Sequence, residues 1–168
     1  VTAGLKASAK PDVALVVNDG PDRHAAAVFT TNRVEAAPVT WSRTVVSDGR
    51  ADAVVLNSGG ANACTGAPGF QDTHRTAEHV AEVLGVAAGD VVVCSTGLIG
   101  ERLPMHLLLP GVDAAAEALA VDGGPAAAQA IMTTDSVAKT AVAQRDGWSV
   151  GGMAKGAGML APALATML

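Results

Sequence analysis

The stretch VVLNSGGANACTGAPGFQDTHRTAEHVAEVLGVAAGDVVVC, residues 54–94, decides the fold. Its two ends, VVL at 54–56 and VVVC at 91–94, are short β-branched runs that stop at turn-favouring residues, the pattern of buried strands. Between them Phe70, Ala77, Val80, Ala81 and Leu84 recur at helical spacing, and Gly85 supplies a left-handed stop. Strand, helix, strand in that order predicts an α/β architecture, with strand order left open.

Working outward, VALVV at 13–17 reads as a further strand. After Pro110, Val112, Ala115, Ala116 and Leu119 mark one face of a helix, and Pro125 opens another that runs to about Met132. Residues 140–145 and 148–150 form two extended arms around Asp146-Gly147, a pair that tolerates positive φ and so predicts a hairpin. There is no internal repeat and no linker, and 168 residues suit one α/β domain over 1–168.

Composition narrows the function. Sixteen acidic against eleven basic residues give a net charge of −5, no basic run occurs, and two Phe, two Trp and no Tyr leave little to stack on bases, so a nucleic-acid partner is disfavoured. The apolar stretches at 105–112 and 159–168 carry proline or fall short of the roughly 20 residues a bilayer needs, which predicts a soluble protein. VTAGLKASAK has no basic region followed by an apolar core, the expectation being no signal peptide, and it lacks an initiator Met, as trimming would leave it. Cys64 and Cys94 stand 30 residues apart without a CxxC pair, which suits reduced thiols in the cytoplasm.

Three glycine-rich segments follow strands: NSGGANACTG at 57–66, STGLIG at 95–100 and GGMAKGAG at 151–158. None has the spacing of a Walker A loop or a dinucleotide fingerprint, so each reads as a tight turn before it reads as a phosphate site. His24, His74, His79 and His106 make no metal pattern, because His74 and His79 fall on different helical faces and Asp72, Glu78 and Glu82 suit a solvated helix surface. Cys64 has no base tied to it in sequence and reads as a small buried thiol. The hydroxyls of Ser95-Thr96, Thr133-Thr134 and Thr166 remain, and spacing alone does not choose among them.

Five segments taken in order resemble the ArgJ family, the ornithine acetyltransferases (glutamate N-acetyltransferases) of arginine biosynthesis. They are AVFTTNRVEAAPV at 27–39, NSGGANACTG at 57–66, STGLIGERLPM at 95–105, IMTTD at 131–135 and KGAGMLAPALATML at 155–168. The resemblance implies mixed sheets with packed helices in the self-processing DmpA/ArgJ-like fold. It implies a precursor that cuts itself between Ala165 and Thr166, residues 1–165 forming the α chain and Thr166 heading a β chain as nucleophile. The chain runs through ATML, as an uncleaved or shortened one would. By the same resemblance Thr96 and Gly97, on the turn after the third strand, are oxyanion donors, and Thr133, Lys155 and Thr166 hold substrate.

The implied reaction is acetyl transfer from N-acetylornithine to glutamate through an acetyl-threonine, with no cofactor. Acetyl-CoA as a second donor stays open. The implied partner is the β chain, in an assembly of two α and two β chains or larger. An amidase or aminopeptidase of the same superfamily, with water as acceptor, and a non-catalytic assembly subunit are the alternatives. The chain departs from the family pattern at Gly60, where many members have Asn, and at Ala157 and Ala163, where Ser and Asn are common.

Overall fold

The β-branched runs do form the centre of the molecule. In the computed structural model, which describes residues 1–161 and 165–168, β1 (Val13–Val17), β2 (Ala53–Gly60) and β3 (Val91–Leu98) make one sheet in that order. β1 runs antiparallel to β2, and β2 runs parallel to β3. The crossover between the parallel pair contains α2 (Gly66–Leu84), preceded in the chain by α1 (Ala37–Val45), and Gly85 ends α2 at φ +69°.

Both faces of the sheet are covered, which is why its strands read as nearly continuous apolar runs. Val13, Leu15, Val55, Val91 and Val93 pack with Ala77 and Val80 of α2 and with Leu108 and Val112 of α3 (Met105–Glu117). Alternate residues Ala14 and Leu56 pack in a second cluster with Ala130 and Ile131 at the end of α4 (Gly124–Ala130), joined by Cys94, Met153 and Leu168. The period-two alternation of strand side chains thus builds a layered α/β structure.

α1 turns Pro38, Ser42 and Val45 inward, and polar contacts to the edge strand help to hold it. The Ser42 hydroxyl donates to the Val93 carbonyl at 2.8 Å and accepts the Val93 N–H at 3.0 Å, and the Trp41 indole N–H donates to the Val91 carbonyl at 2.9 Å. An edge that would otherwise offer free backbone groups is covered in this way. β4 (Lys139–Arg145) and β5 (Trp148–Ala154) form a separate antiparallel hairpin around Asp146-Gly147, as the turn pair predicts. No helix among the described residues is long and apolar enough to cross a membrane.

Three expectations are corrected. β2 and β3 do not stop before their glycine-rich segments: Asn57 pairs with Ser95, Ser58 with Thr96 and Gly59 with Gly97, so Thr96 and Gly97 lie in a strand and not on a turn after it. Gly151 and Gly152 likewise lie inside β5. Phe70 is 39% exposed although it sits on the expected apolar face of α2. α3 starts at Met105, carries Pro110 inside it, and ends before the exposed Leu119.

Candidate active site

Glycine in this part of the sheet marks close approach of backbones, not a turn. The buried Asp12 carboxylate accepts the backbone N–H groups of Ala3, Gly4, Leu5 and Lys6 at 2.6 to 3.3 Å, which folds the N-terminal segment over the sheet. Leu5 then lies against Gly59, where a Cβ would stand 2.6 Å from the Leu5 carbonyl oxygen. Gly59 in turn lies against Gly97, where a Cβ would stand 2.5 Å from the Gly59 carbonyl carbon. Both glycines have positive φ, +123° and +133°. This stack fixes the backbone next to Thr96.

Thr96 is 1% exposed, and three polar atoms meet at its hydroxyl. Thr166 Oγ1 lies at 2.9 Å, the Thr166 carbonyl oxygen at 3.2 Å, and Lys155 Nζ donates from 3.2 Å. One arrangement of protons satisfies all three: Thr96 accepts from Lys155 and from the Thr166 hydroxyl, and donates to the Thr166 carbonyl. Lys155 follows directly on β5 and is 8% exposed, and its N–H donates to the Leu168 carbonyl at 3.0 Å, which holds the ATML end against the site. Burial lowers the Lys155 ammonium below its usual 10.5 and Lys139 adds to this, with only partial compensation from Asp135.

Asp135 ties the neighbouring loops together. Its carboxylate accepts from Lys139 Nζ at 2.6 Å, from the Gly156 N–H at 2.7 Å and from the Thr133 N–H at 3.2 Å. Burial pushes this carboxyl up, yet those three donors outweigh it and hold it at about 2. The IMTTD and KGAG segments are thereby clamped to one group, a role that the sequence reading missed although Asp135 stood inside a quoted motif. Lys6 Nζ donates to the Met132 carbonyl at 2.9 Å, and Lys6, Lys10, Met132, Thr133, Asp135 and Ser136 line part of a cleft of about 390 Å³. Thr133 therefore opens onto this cleft. Thr96, Lys155 and Thr166 are brought together beside it but do not line it.

The ArgJ family model matches residues 1–168, the whole chain. The chain belongs to the ArgJ family. It is 69% identical over 168 residues to the arginine biosynthesis bifunctional protein ArgJ of Streptomyces coelicolor and 60% identical to that of Mycobacterium tuberculosis. All of the chain aligns in both cases, yet it spans only 44% of the length of either relative. The crystal structure of a Mycobacterium tuberculosis ornithine acetyltransferase, complexed with ornithine, matches with a TM-score of 0.93 at 55% identity, covering 100% of this chain and 90% of that one. The Bacillus halodurans ArgJ structure matches with a TM-score of 0.84 at 35% identity, covering 99% and 87%.

Several of the remaining polar candidates of this ArgJ-family chain have other partners. Cys64 is exposed, with φ +59°, and is not the buried thiol expected, whereas burial raises the Cys94 thiol to about 11. Asp72 is not on a solvated surface: it is 4% exposed and forms a two-point pair with Arg102 at 2.8 and 2.7 Å. His79 meets Asp113 at 2.7 Å, His74 packs edge-on to Trp41 near Glu78, and His24 forms a β-bridge with Arg50. Gly60 sits at a β-bulge with the tip of Leu103 only 2.7 Å from where a Cβ would be, so a larger residue there displaces Leu103. Ala157 is exposed and Ala163 lies outside the described residues.

Proposed function

We propose that this chain is the N-terminal part of a self-cleaving acetyltransferase that moves an acetyl group from N-acetylornithine to glutamate. The observation that carries this reading is the Thr166 hydroxyl lying 2.9 Å from Oγ1 of the buried Thr96 in β3. A threonine hydroxyl is a poor nucleophile at its own pKa and needs a base. Cutting between Ala165 and Thr166 supplies one, because the α-amino group it exposes has an unperturbed pKa of about 7.7–8.0.

In turnover, the Thr166 hydroxyl attacks the acetyl carbonyl of N-acetylornithine and gives its proton to its own amine. Ornithine leaves with that proton, and the glutamate amine then takes the acetyl group from the ester. Each tetrahedral intermediate carries an oxyanion, for which the Thr96 hydroxyl and the Gly97 N–H are the donors. Removing one such donor costs roughly 3–4 kcal/mol. The Thr96 hydroxyl already donates to a carbonyl oxygen, that of Thr166, which supports its assignment. Thr133 and Lys155 hold the amino-acid substrate.

No cofactor enters this chemistry. Acetyl-CoA as a second acetyl donor is consistent with the bifunctional relatives. The β chain that begins at Thr166 packs on the β4–β5 hairpin, whose residues other than Met153 are exposed and which, as two strands alone, would be marginal in water. The assembly in this reading holds two α and two β chains or is larger. The free thiols Cys64 and Cys94 suit the cytoplasm. Thr166→Ala in the full-length protein tests the reading: we expect an uncut chain with acetyl transfer down by at least about 10³-fold, and unchanged turnover overturns it.

A further inference from the structure

Before cleavage, the base that serves in turnover does not exist. The Thr166 nitrogen is then an amide, so the hydroxyl that must attack the Ala165 carbonyl needs another group to take its proton. The contacts around Thr96 provide one. From the Thr166 hydroxyl to the Thr96 hydroxyl is 2.9 Å, and from there to Lys155 Nζ is 3.2 Å. Both steps lie within proton-transfer reach, and Thr96 and Lys155 are 1% and 8% exposed, which keeps bulk water from competing.

We infer that Lys155 is the terminal base of a proton relay, running from the Thr166 hydroxyl through the Thr96 hydroxyl to the Lys155 amine, that drives cleavage of the Ala165–Thr166 bond. This rests on the self-cleavage reading above and assigns Lys155 a task before any substrate is bound. With Lys155 as an amine, its lone pair accepts the Thr96 proton while Thr96 accepts that of Thr166. Thr166 Oγ then bonds to the Ala165 carbonyl carbon. The Ala165 C–N bond breaks, the proton held on Lys155 returns to the leaving Thr166 nitrogen, and an ester joins Ala165 to the Thr166 oxygen. One water hydrolyses that ester, leaving the Ala165 carboxylate, the free hydroxyl and the free amine.

The alternatives nearby are committed elsewhere. Asp135 is engaged by Lys139 and by two backbone N–H groups, and the rings of His74 and His79 face Glu78 and Asp113. Among the described residues no carboxylate lies within ion-pair distance of the Lys155 ammonium, and Asp135 acts on it only at longer range. The lowering of its pKa by burial works in the same direction.

The test follows cleavage of the freshly folded full-length precursor by intact mass across a pH series. For the wild type we expect a rate that rises with pH to a midpoint below 10.5, the ordinary lysine value. Lys155→Arg keeps the charge but not the base, and is expected to cleave on the order of 10²-fold more slowly with a flattened pH profile. Thr96→Val, which removes the middle hydroxyl, should slow cleavage similarly, and Thr96→Ser should cleave faster than Thr96→Val. These two keep the test open should Lys155→Arg fail to fold by circular dichroism. A Lys155→Arg precursor that cleaves at the wild-type rate with the wild-type pH profile overturns the relay, and so does Thr96→Val cleaving as fast as Thr96→Ser. Thr166→Ala separates the two layers: if it still cleaves, the self-cleavage reading itself falls, and if it does not while Lys155→Arg does, only the relay falls.

Discussion

A methyl group at Gly97 would meet the Gly59 carbonyl carbon at 2.5 Å and the Gly60 nitrogen at 2.7 Å, backbone atoms that yield only if β2 shifts. The φ of +133° adds strain for any side chain. Gly97→Ala is therefore expected to cost on the order of 2–3 kcal/mol in a urea titration of the full-length protein and to lower acetyl transfer out of proportion to the folded fraction. Asp135 gives a second expectation at this scale. Its folded value of about 2 lies below the 3.8 of the unfolded chain, so its contribution is complete above 3.8 and is lost as pH falls toward 2. That contribution is on the order of 2 kcal/mol. Acid titration of stability should show this loss in the wild type and not in Asp135→Asn, whose stability is lower at neutral pH.

At the scale of elements, α1 shows both what a polar contact can hold and what a sequence conceals. Ser42→Ala leaves the Val93 N–H and carbonyl without their partner at a buried strand edge, which should cost about 1–3 kcal/mol by chemical denaturation. The strands 13–17, 54–56 and 91–94 and most of α2 were legible because two covered faces demand runs of Val, Leu and Ala. α1 was not, because on its short buried face Ser42 stands between Pro38 and Val45 and interrupts the apolar stripe. The ends of β2 and β3 were misread for a related reason: glycine signals a turn by its conformational freedom, yet Gly59 and Gly97 serve here through the Cβ they lack. The hairpin was legible from Asp146-Gly147 alone. Of the site, the family resemblance led to Thr96, Lys155 and Thr166, and their meeting at one buried hydroxyl emerges only from the three-dimensional arrangement. The Asp72–Arg102 pair joins residues 30 apart in sequence and left no local signal.

The chain spans 44% of the length of the Streptomyces coelicolor relative it matches. An exposed hairpin bearing Val142, Trp148 and Val150, and a cleft walled by Lys6, Lys10 and Thr133, both suit completion by the proposed β chain. The central claim is that Thr166, freed at its amine, carries the acetyl group between two amino acids. Rapid quench of the mature full-length enzyme with N-acetylornithine, followed by peptide mapping, tests it most directly. The account predicts an acetylated peptide that begins at Thr166 and loses its acetyl group when glutamate is added. Full turnover by a protein whose backbone is continuous through Thr166, with no acetyl on that residue, would contradict it.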